Sequence, residues 1–569
     1  ARAGRLDGVC AAPGLASGPV VRLDSGVGAI VEAGTGEAHE RRALHEALHA
    51  VAADIEAAAL DAARRGQGEQ AEIFAAHLEL VGDPELRTQA LARIAERKSA
   101  AHAWHQVVQA RCAALVATHN PLIAERAADL RDIERRVLVR LCGEPVAAAA
   151  LPAGAVVLAE DLLPSQFAAL ADAGVAAIAT ALGGPTSHVA ILARARGMPM
   201  LVALGPALAG VAAGATVLVD ADQGWLDTTP SEAELAAARE RIGQGQARRE
   251  ADQAQARTAA VTLDGRRVEV AANVADAAEV RAAVEFGAEG VGLLRTELMF
   301  MERASAPSED EQRRAYQAVV DALQGRPLII RTLDVGADKT LPYLPLPAEE
   351  NPALGLRGIR LGLAHEALLA EQLRAILALR PLAAVKIMLP MVTDLGELRA
   401  VRGLLERLAR EAGLKGRVEL GVMIETPAAA LLADQLALEA DFFSVGSNDL
   451  TQYALCMDRV NPALAPRLDG LHPAVLRLIA QAARAAAERG RWIGVCGALA
   501  SEPAAVPLLI GLGVNELSAS PAALAHIKAL VRRLDAAACR GAANAALLAQ
   551  SAAEVRTLVA AAWPWLASF

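Results

Sequence analysis

The 569-residue chain is poor in aromatic side chains (3%), holds only six cysteines and has no long unbroken apolar run. Each shortage removes a class of protein. Cys10, Cys112, Cys142, Cys456, Cys496 and Cys539 are scattered without Cys-x-x-Cys spacing, which argues against a disulfide framework and against a structural zinc site. Pro152 and Gly154 break the apolar stretch at 146–159 well short of a membrane span, so no membrane association is expected. No charged segment followed by an apolar one opens the chain, and the expected compartment is therefore the cytoplasm. A net charge of −10 disfavours nucleic acid as a partner and suits a basic one. Neither a P-loop nor a His-Glu-x-x-His motif occurs.

What is present is length, alanine and a change of pattern along the chain. The length exceeds what one core usually supports, so several domains are expected. The first seven residues carry no strong element signal, and residues 9–22 read as one short strand that must pair downstream. Over 31–144 the pattern is helical: Leu44, Leu48, Val51 and Ile55 step by four, three and four, as on one helix face. Short β-rich runs return over 145–228 (AVVLAE, VAAIAT, MLVALG, ATVLVD), so 1–30 and 145–228 are expected to form one α/β domain around the helical insertion. Ser231 and Glu234 spell a capping box that opens a charged linker helix within 229–260. From 261 to 569, eight apolar runs alternate with helical segments: VEVAANV, GVGLL, LIIRTLD, VKIMLPM, VELGVMI, FFSVG, WIGVC and ELSAS. Eight strand-then-helix units predict a (β/α)8 TIM barrel, giving a multidomain α/β protein overall.

Reacting groups of such a barrel belong at the carboxyl ends of its strands. The second run ends in Arg295 with Glu297 after it; the third carries Arg331, then Asp334, Asp338 and Lys339; the fifth ends in Glu425; the sixth leads to Asn448 and Asp449. Carboxylates so placed suit a Mg²⁺ that keeps some waters and takes substrate oxygens, while arginine forks suit phosphate. The seventh run ends at Cys496, which reads either as a small buried hydrophobe or as a proton donor. In the smaller α/β domain, GGPTSHVAILARARGMP puts His188 after a Gly-Gly turn and at the start of a helical pattern. A helix N-terminus welcomes a phosphoryl group, and a neutral imidazole is a competent nucleophile near pH 7. His77 and His105 sit in helical patterns and are assigned no function.

Together with GVGLLRTELMFMER, RTLDVGADKTLPY, NPALGLRGIRLGL, VMIETPAAA, FFSVGSNDLTQYALCMDR and GVCGALAS, that histidine motif resembles Enzyme I of the bacterial phosphotransferase system, in order and over nearly the whole chain. The resemblance implies a phosphoenolpyruvate-protein phosphotransferase. His188 would accept the phosphoryl group, Glu425 and Asp449 would ligate Mg²⁺, and Arg295, Arg331, Asn448 and Arg459 would hold phosphoenolpyruvate. Cys496 would protonate the enolate to give pyruvate. The 31–144 insertion would dock the phosphocarrier protein HPr or an HPr-like domain, the barrel half would form a homodimer, and the phosphohistidine domain would swivel between its partners. The reaction would be the first step of sugar uptake, with fructose one candidate sugar. Dikinases that share these motifs would need an upstream nucleotide-binding domain, and a regulatory phosphoenolpyruvate sensor would differ only in its partner.

Three residues depart from the family pattern. Ala498 stands where a carboxylate commonly follows Cys-Gly, and Phe167 where threonine is frequent, which leaves Thr186 as the candidate substitute. Pro185 replaces a frequent arginine and is reminiscent of fused multiphosphoryl transfer proteins; with alanine rather than methionine as residue 1, the chain reads as part of a longer, fused protein.

Overall fold

The computed structural model describes residues 4–568 apart from 24–29, 65–76, 79, 117–120, 143–151, 153, 163, 185–186, 302, 304, 337–340, 342, 345–348, 460 and 462–463. The chain divides into two compact units, Ala1–Ala247 and Arg248–Phe569.

In the first unit, short strands gather into one eight-stranded sheet: β1 (Arg5–Asp7), β2 (Val9–Ala12), β3 (Leu15–Leu23), β4 (Val156–Ala159), β5 (Ala177–Thr180), β6 (Met200–Val202), β7 (Thr216–Asp220) and β8 (Trp225–Asp227). Their spatial order is β1-β8-β7-β3-β4-β5-β6-β2. The chain leaves the sheet after β3 and returns as β4, which pairs with β3 in parallel. All residues of β4, β5 and β6 are buried, as continuous apolar strands covered on both faces should be.

The sequence suggested a single opening strand and nothing in the first seven residues; the structure holds three strands there, and also β8. The reason is tertiary. Arg5-Leu6-Asp7 has no apolar run of its own, but it pairs antiparallel with Trp225–Asp227, and the Arg5 guanidinium lies 4.4 Å from the Trp225 ring centroid.

Between β3 and β4 come the helices α1 (Glu37–Arg64), α2 (Pro84–Ala95), α3 (Ala100–Val116) and α4 (Pro121–Cys142). The expected stripe of Leu44, Leu48, Val51 and Ile55 is buried with Trp104, Ile133 and Val137 in their common core. Asp83 caps α2, its side chain accepting from the N–H groups of Glu85 and Leu86. Two further helices, α5 (Pro164–Asp172) and α6 (His188–Arg196), flank β5 in sequence. The capping box forms as read: the Ser231 N–H donates to Glu234 Oε2 at 2.8 Å and the Glu234 N–H to Ser231 Oγ at 3.3 Å, opening α7 (Glu232–Ala254).

The second unit is a closed parallel barrel of β9 (Glu269–Val274), β10 (Val291–Leu294), β11 (Leu328–Arg331), β12 (Val385–Leu389), β13 (Leu420–Ile424), β14 (Phe442–Val445), β15 (Trp492–Val495) and β16 (Glu516–Ala519), with β16 closing onto β9. All eight apolar runs became strands. Leu293, Ile329, Met388, Met423, Phe442 and Cys496 pack together in the barrel interior, so the centre is filled rather than open. The surrounding helices turn one apolar face inward; in Leu395–Glu411 the buried side chains include Leu398, Val401, Leu405 and Leu408. Among the described residues no helix is long and apolar enough to cross a membrane.

Candidate active site

The carboxyl ends of the barrel strands bring several charged residues together, where the largely apolar strands give way to loops. Arg331 is the last residue of β11, Glu425 follows β13, Asp449 lies in the helix Ser447–Leu455 after β14, and Cys496 follows β15.

Arg331 and Asp449 belong to one connected group of charged side chains. Arg331 Nη2 is 2.6 Å from Glu297 Oε1, and its Nη1 is 3.0 Å from Asp334 Oδ2. Asp334 also accepts from Arg357, through Nε at 3.1 Å and Nη2 at 3.2 Å. Arg357 then reaches Asp449 with Nη1 at 3.0 Å and Nη2 at 3.2 Å, and Arg459 Nη1 lies 3.4 Å from Asp449 Oδ1. Glu425 Oε1 accepts the Met391 N–H at 2.7 Å.

Glu425 is buried beside other carboxylates. Burial, reinforced by the carboxylates of Asp334 and Asp449, pushes its pKa up to about 8, against the pull of Arg331 and Arg357. Burial alone would depress the Arg331 guanidinium, but Glu297, Asp334 and Glu425 outweigh it and hold its pKa above the usual range. A buried carboxyl whose pKa is raised by neighbouring carboxylates marks a place where a divalent cation is favoured. Among the described residues no three His, Cys, Asp or Glu side chains are grouped to hold an ion by themselves. Glu425 and Asp449 offer two carboxylates, a number suited to an ion that keeps waters and substrate oxygens.

Cys496 is buried, its thiol donating to the Val445 carbonyl at 3.6 Å, and burial pushes its pKa up to about 11. The thiol packs among apolar side chains, as the small-hydrophobe reading expects. Asn448 is exposed, and its Oδ1 accepts the Ala498 N–H at 2.9 Å. Arg295 is exposed after β10 and makes no ion pair among the described residues.

In the first unit His188 opens α6. Ser187 is the capping residue, its Oγ accepting the Ala190 N–H at 3.3 Å, and Gly197 ends the helix in the left-handed conformation. Phe167 is 2% exposed, in a core cluster with Val189, Ala190 and Ala193 of α6. Pro185, Thr186, Asp338 and Lys339 lie outside the described residues.

The sequence reading counted Asp334 among the strand-end carboxylates without choosing it as a ligand, and did not single out Arg357. Arg357 lies in the turn just before the short helix Ile359–Ala364, whereas barrel logic points to strand ends. Its two carboxylate partners come from segments far apart in sequence, a pairing only the fold creates. His77 likewise has company that its local sequence hides: Nε2 lies 3.3 Å from Asp129 Oδ1, buried between helices.

Comparison with known proteins gives this arrangement a family. The model of the PEP-binding domain of PEP-utilising enzymes matches residues 249–536, that of their N-terminal domain residues 7–126, and that of their mobile domain residues 151–224. The multiphosphoryl transfer protein of Rhodobacter capsulatus is 48% identical over 490 residues, 86% of this chain and 59% of that protein. That of Xanthomonas campestris is 45% identical over 559 residues, 97% of this chain and 66% of that protein. The phosphoenolpyruvate-protein phosphotransferase of Geobacillus stearothermophilus is 39% identical over 541 residues, 93% of each chain. The chain thus spans less than two thirds of the length of the two multiphosphoryl transfer proteins and nearly the whole length of the phosphotransferase. Its barrel and sheet, its strand-end charges and these matches make it a member of the PEP-utilising enzymes, beside the phosphoenolpyruvate-protein phosphotransferases and multiphosphoryl transfer proteins.

Proposed function

We propose that the chain transfers the phosphoryl group of phosphoenolpyruvate to its own His188 and then to a histidine of HPr or an HPr-like domain, releasing pyruvate, as the first step of sugar uptake. The observation that carries this reading is the buried Arg331–Asp334–Arg357–Asp449 chain at the carboxyl end of the barrel, two guanidinium forks set among carboxylates. Such a group recognises a small phosphorylated anion.

In this reading Arg331, with Arg295, Asn448 and Arg459, holds the phosphate and carboxylate of the substrate. Glu425 and Asp449 would hold Mg²⁺, which supplies neutralisation of charge on the phosphate oxygens. The imidazole of His188 attacks phosphorus as the bond to the enol oxygen breaks; the electron pair stays on the enolate and the imidazole proton goes to solvent. Cys496 gives its proton to the enolate carbon, and a thiol held up to about 11 keeps that proton until the enolate forms. Swivelling of the phosphohistidine domain, carrier docking on the helices α1 to α4, homodimerisation through the barrel and a cytoplasmic setting belong to the same proposal.

The test is incubation with phosphate-labelled phosphoenolpyruvate and Mg²⁺ without nucleotide. The wild type should acquire label that is acid-labile and base-stable, and His188→Ala should acquire none. Absence of label on both would overturn the proposal.

A further inference from the structure

Asp449 is more tightly held than a waiting metal ligand needs to be. Both of its carboxylate oxygens accept from Arg357, at 3.0 and 3.2 Å, and Oδ1 also faces Arg459 at 3.4 Å. Arg357 itself is only 4% exposed and is pinned from several sides. Its Nε and Nη2 go to Asp334, its Nη1 also donates to the Tyr453 hydroxyl at 3.3 Å, and that hydroxyl donates to the Ala353 carbonyl.

A carboxylate gripped on both oxygens by one guanidinium keeps only its outer lone pairs for a divalent cation, so the side facing the fork opens to metal only when the fork leaves. A metal arriving alone must also sit beside the positive fork it displaces, inside a largely buried site where that repulsion is poorly screened. Release of Arg357 leaves neither carboxylate alone, because Arg331 contacts Asp334 at 3.0 Å and Arg459 lies 3.4 Å from Asp449. A phosphate dianion presents to Arg357 the same planar pair of acceptors that Asp449 does.

We infer that Arg357 is the internal counter-cation of the site: it occupies Asp449 until a phosphorylated anion draws its guanidinium away, so that metal uptake is conditional on substrate. The inference rests on the proposed role of Asp449 as a metal ligand. Metal and anion then bind synergistically, and by linkage each tightens the other by the same factor.

The experiment measures Mn²⁺ affinity by the electron paramagnetic resonance of free Mn²⁺, with and without phosphoenolpyruvate. The parent is the His188→Ala protein, which cannot turn substrate over. Against that parent, Arg357→Gln should bind Mn²⁺ alone about fivefold tighter or more, and phosphoenolpyruvate should add little to its affinity. Arg357→Lys keeps the charge that Asp334 needs for folding but lacks the fork, and should lie between the two. Equal or weaker Mn²⁺ binding by both Arg357 variants, or independent binding of Mn²⁺ and phosphoenolpyruvate to the parent, would overturn the inference. Asp449→Asn separates the two levels: unchanged Mn²⁺ affinity there removes the metal-ligand reading and this inference with it, whereas lost affinity there with no gain at Arg357 sinks the inference alone.

Discussion

Arg331 and Glu297 meet at 2.6 Å, Nη2 to Oε1, with side chains 8% and 3% exposed. The pair joins the end of β11 to the short helix Glu297–Phe300 that follows β10, and so fixes the direction of a fork that would otherwise turn about its long stem. Removing one partner of a buried pair leaves the other uncompensated, although Asp334 still holds Arg331 here. Glu297→Gln is expected to cost roughly 1–3 kcal/mol in urea unfolding. It should also raise KM for phosphoenolpyruvate more than it lowers kcat. Unfolding and KM both unchanged would show that the pair does not position Arg331.

Cys496 should behave as an acid and not as a nucleophile. Its thiol is buried, and its pKa is pushed up to about 11 by burial, with Glu425 and Glu516 adding to the rise and Ser444 and Arg331 opposing it. Cys496→Ala should slow pyruvate formation by about a hundredfold or more, in the range of lost general acids. Binding of phosphoenolpyruvate should stay close to that of the wild type. Equal loss of binding and turnover would assign the thiol a structural role.

The same burial separates the cysteines chemically. Cys456 is exposed and ends its helix in the left-handed conformation, while Cys496 is enclosed. Thiolate is the reactive form, so a group both buried and raised reacts slowly. Iodoacetamide at about pH 8, near the ordinary thiol pKa, is expected to modify Cys456 well before Cys496, as peptide mass mapping would read. Early modification of Cys496 would contradict its enclosure.

The barrel was legible because each parallel strand, buried on both faces, appears in the sequence as a short continuous apolar run, and the repeated strand-helix rhythm allows one closure. Once the barrel is recognised, the carboxyl ends of its strands are where a site is sought, and Arg331, Glu425, Asp449 and Cys496 are among the polar residues the structure places there. The start of α6 was legible from the glycine turn and Ser187. Two kinds of feature were not. Strands β1 and β8 are short and partly polar, and exist through pairing, β1 with β8 and β8 with β7. Arg357 sits in a loop, and its meaning lies in bridging Asp334 and Asp449, a relation that spacing does not encode.

Glu516 gives the clearest dependence of stability on pH. It is the first residue of β16 and only 6% exposed, and its Oε1 has no hydrogen-bond partner among the described residues. Glycines make the room: a Cβ on Gly292 or Gly494 would come within 2.7 or 2.9 Å of that oxygen. The carboxyl lines a cavity of about 240 Å³ at the amino ends of the strands, with Glu269, Lys386, Trp492 and Asn515. Burial, then the charge of Glu269, pushes its pKa up to about 8, with Lys386 opposing. The folded protein therefore binds more protons than the unfolded chain between about pH 4.5 and 8, and stability falls as pH rises through that window. Glu516→Gln keeps the shape and removes the titration. The variant should lie close to the wild type near about pH 5 and exceed it at about pH 9 by on the order of 4 kcal/mol, at about 1.4 kcal/mol per unit of pKa shift. Denaturation midpoints that run parallel for the two proteins across that range would mean that Glu516 ionises in the folded barrel as freely as in the unfolded chain.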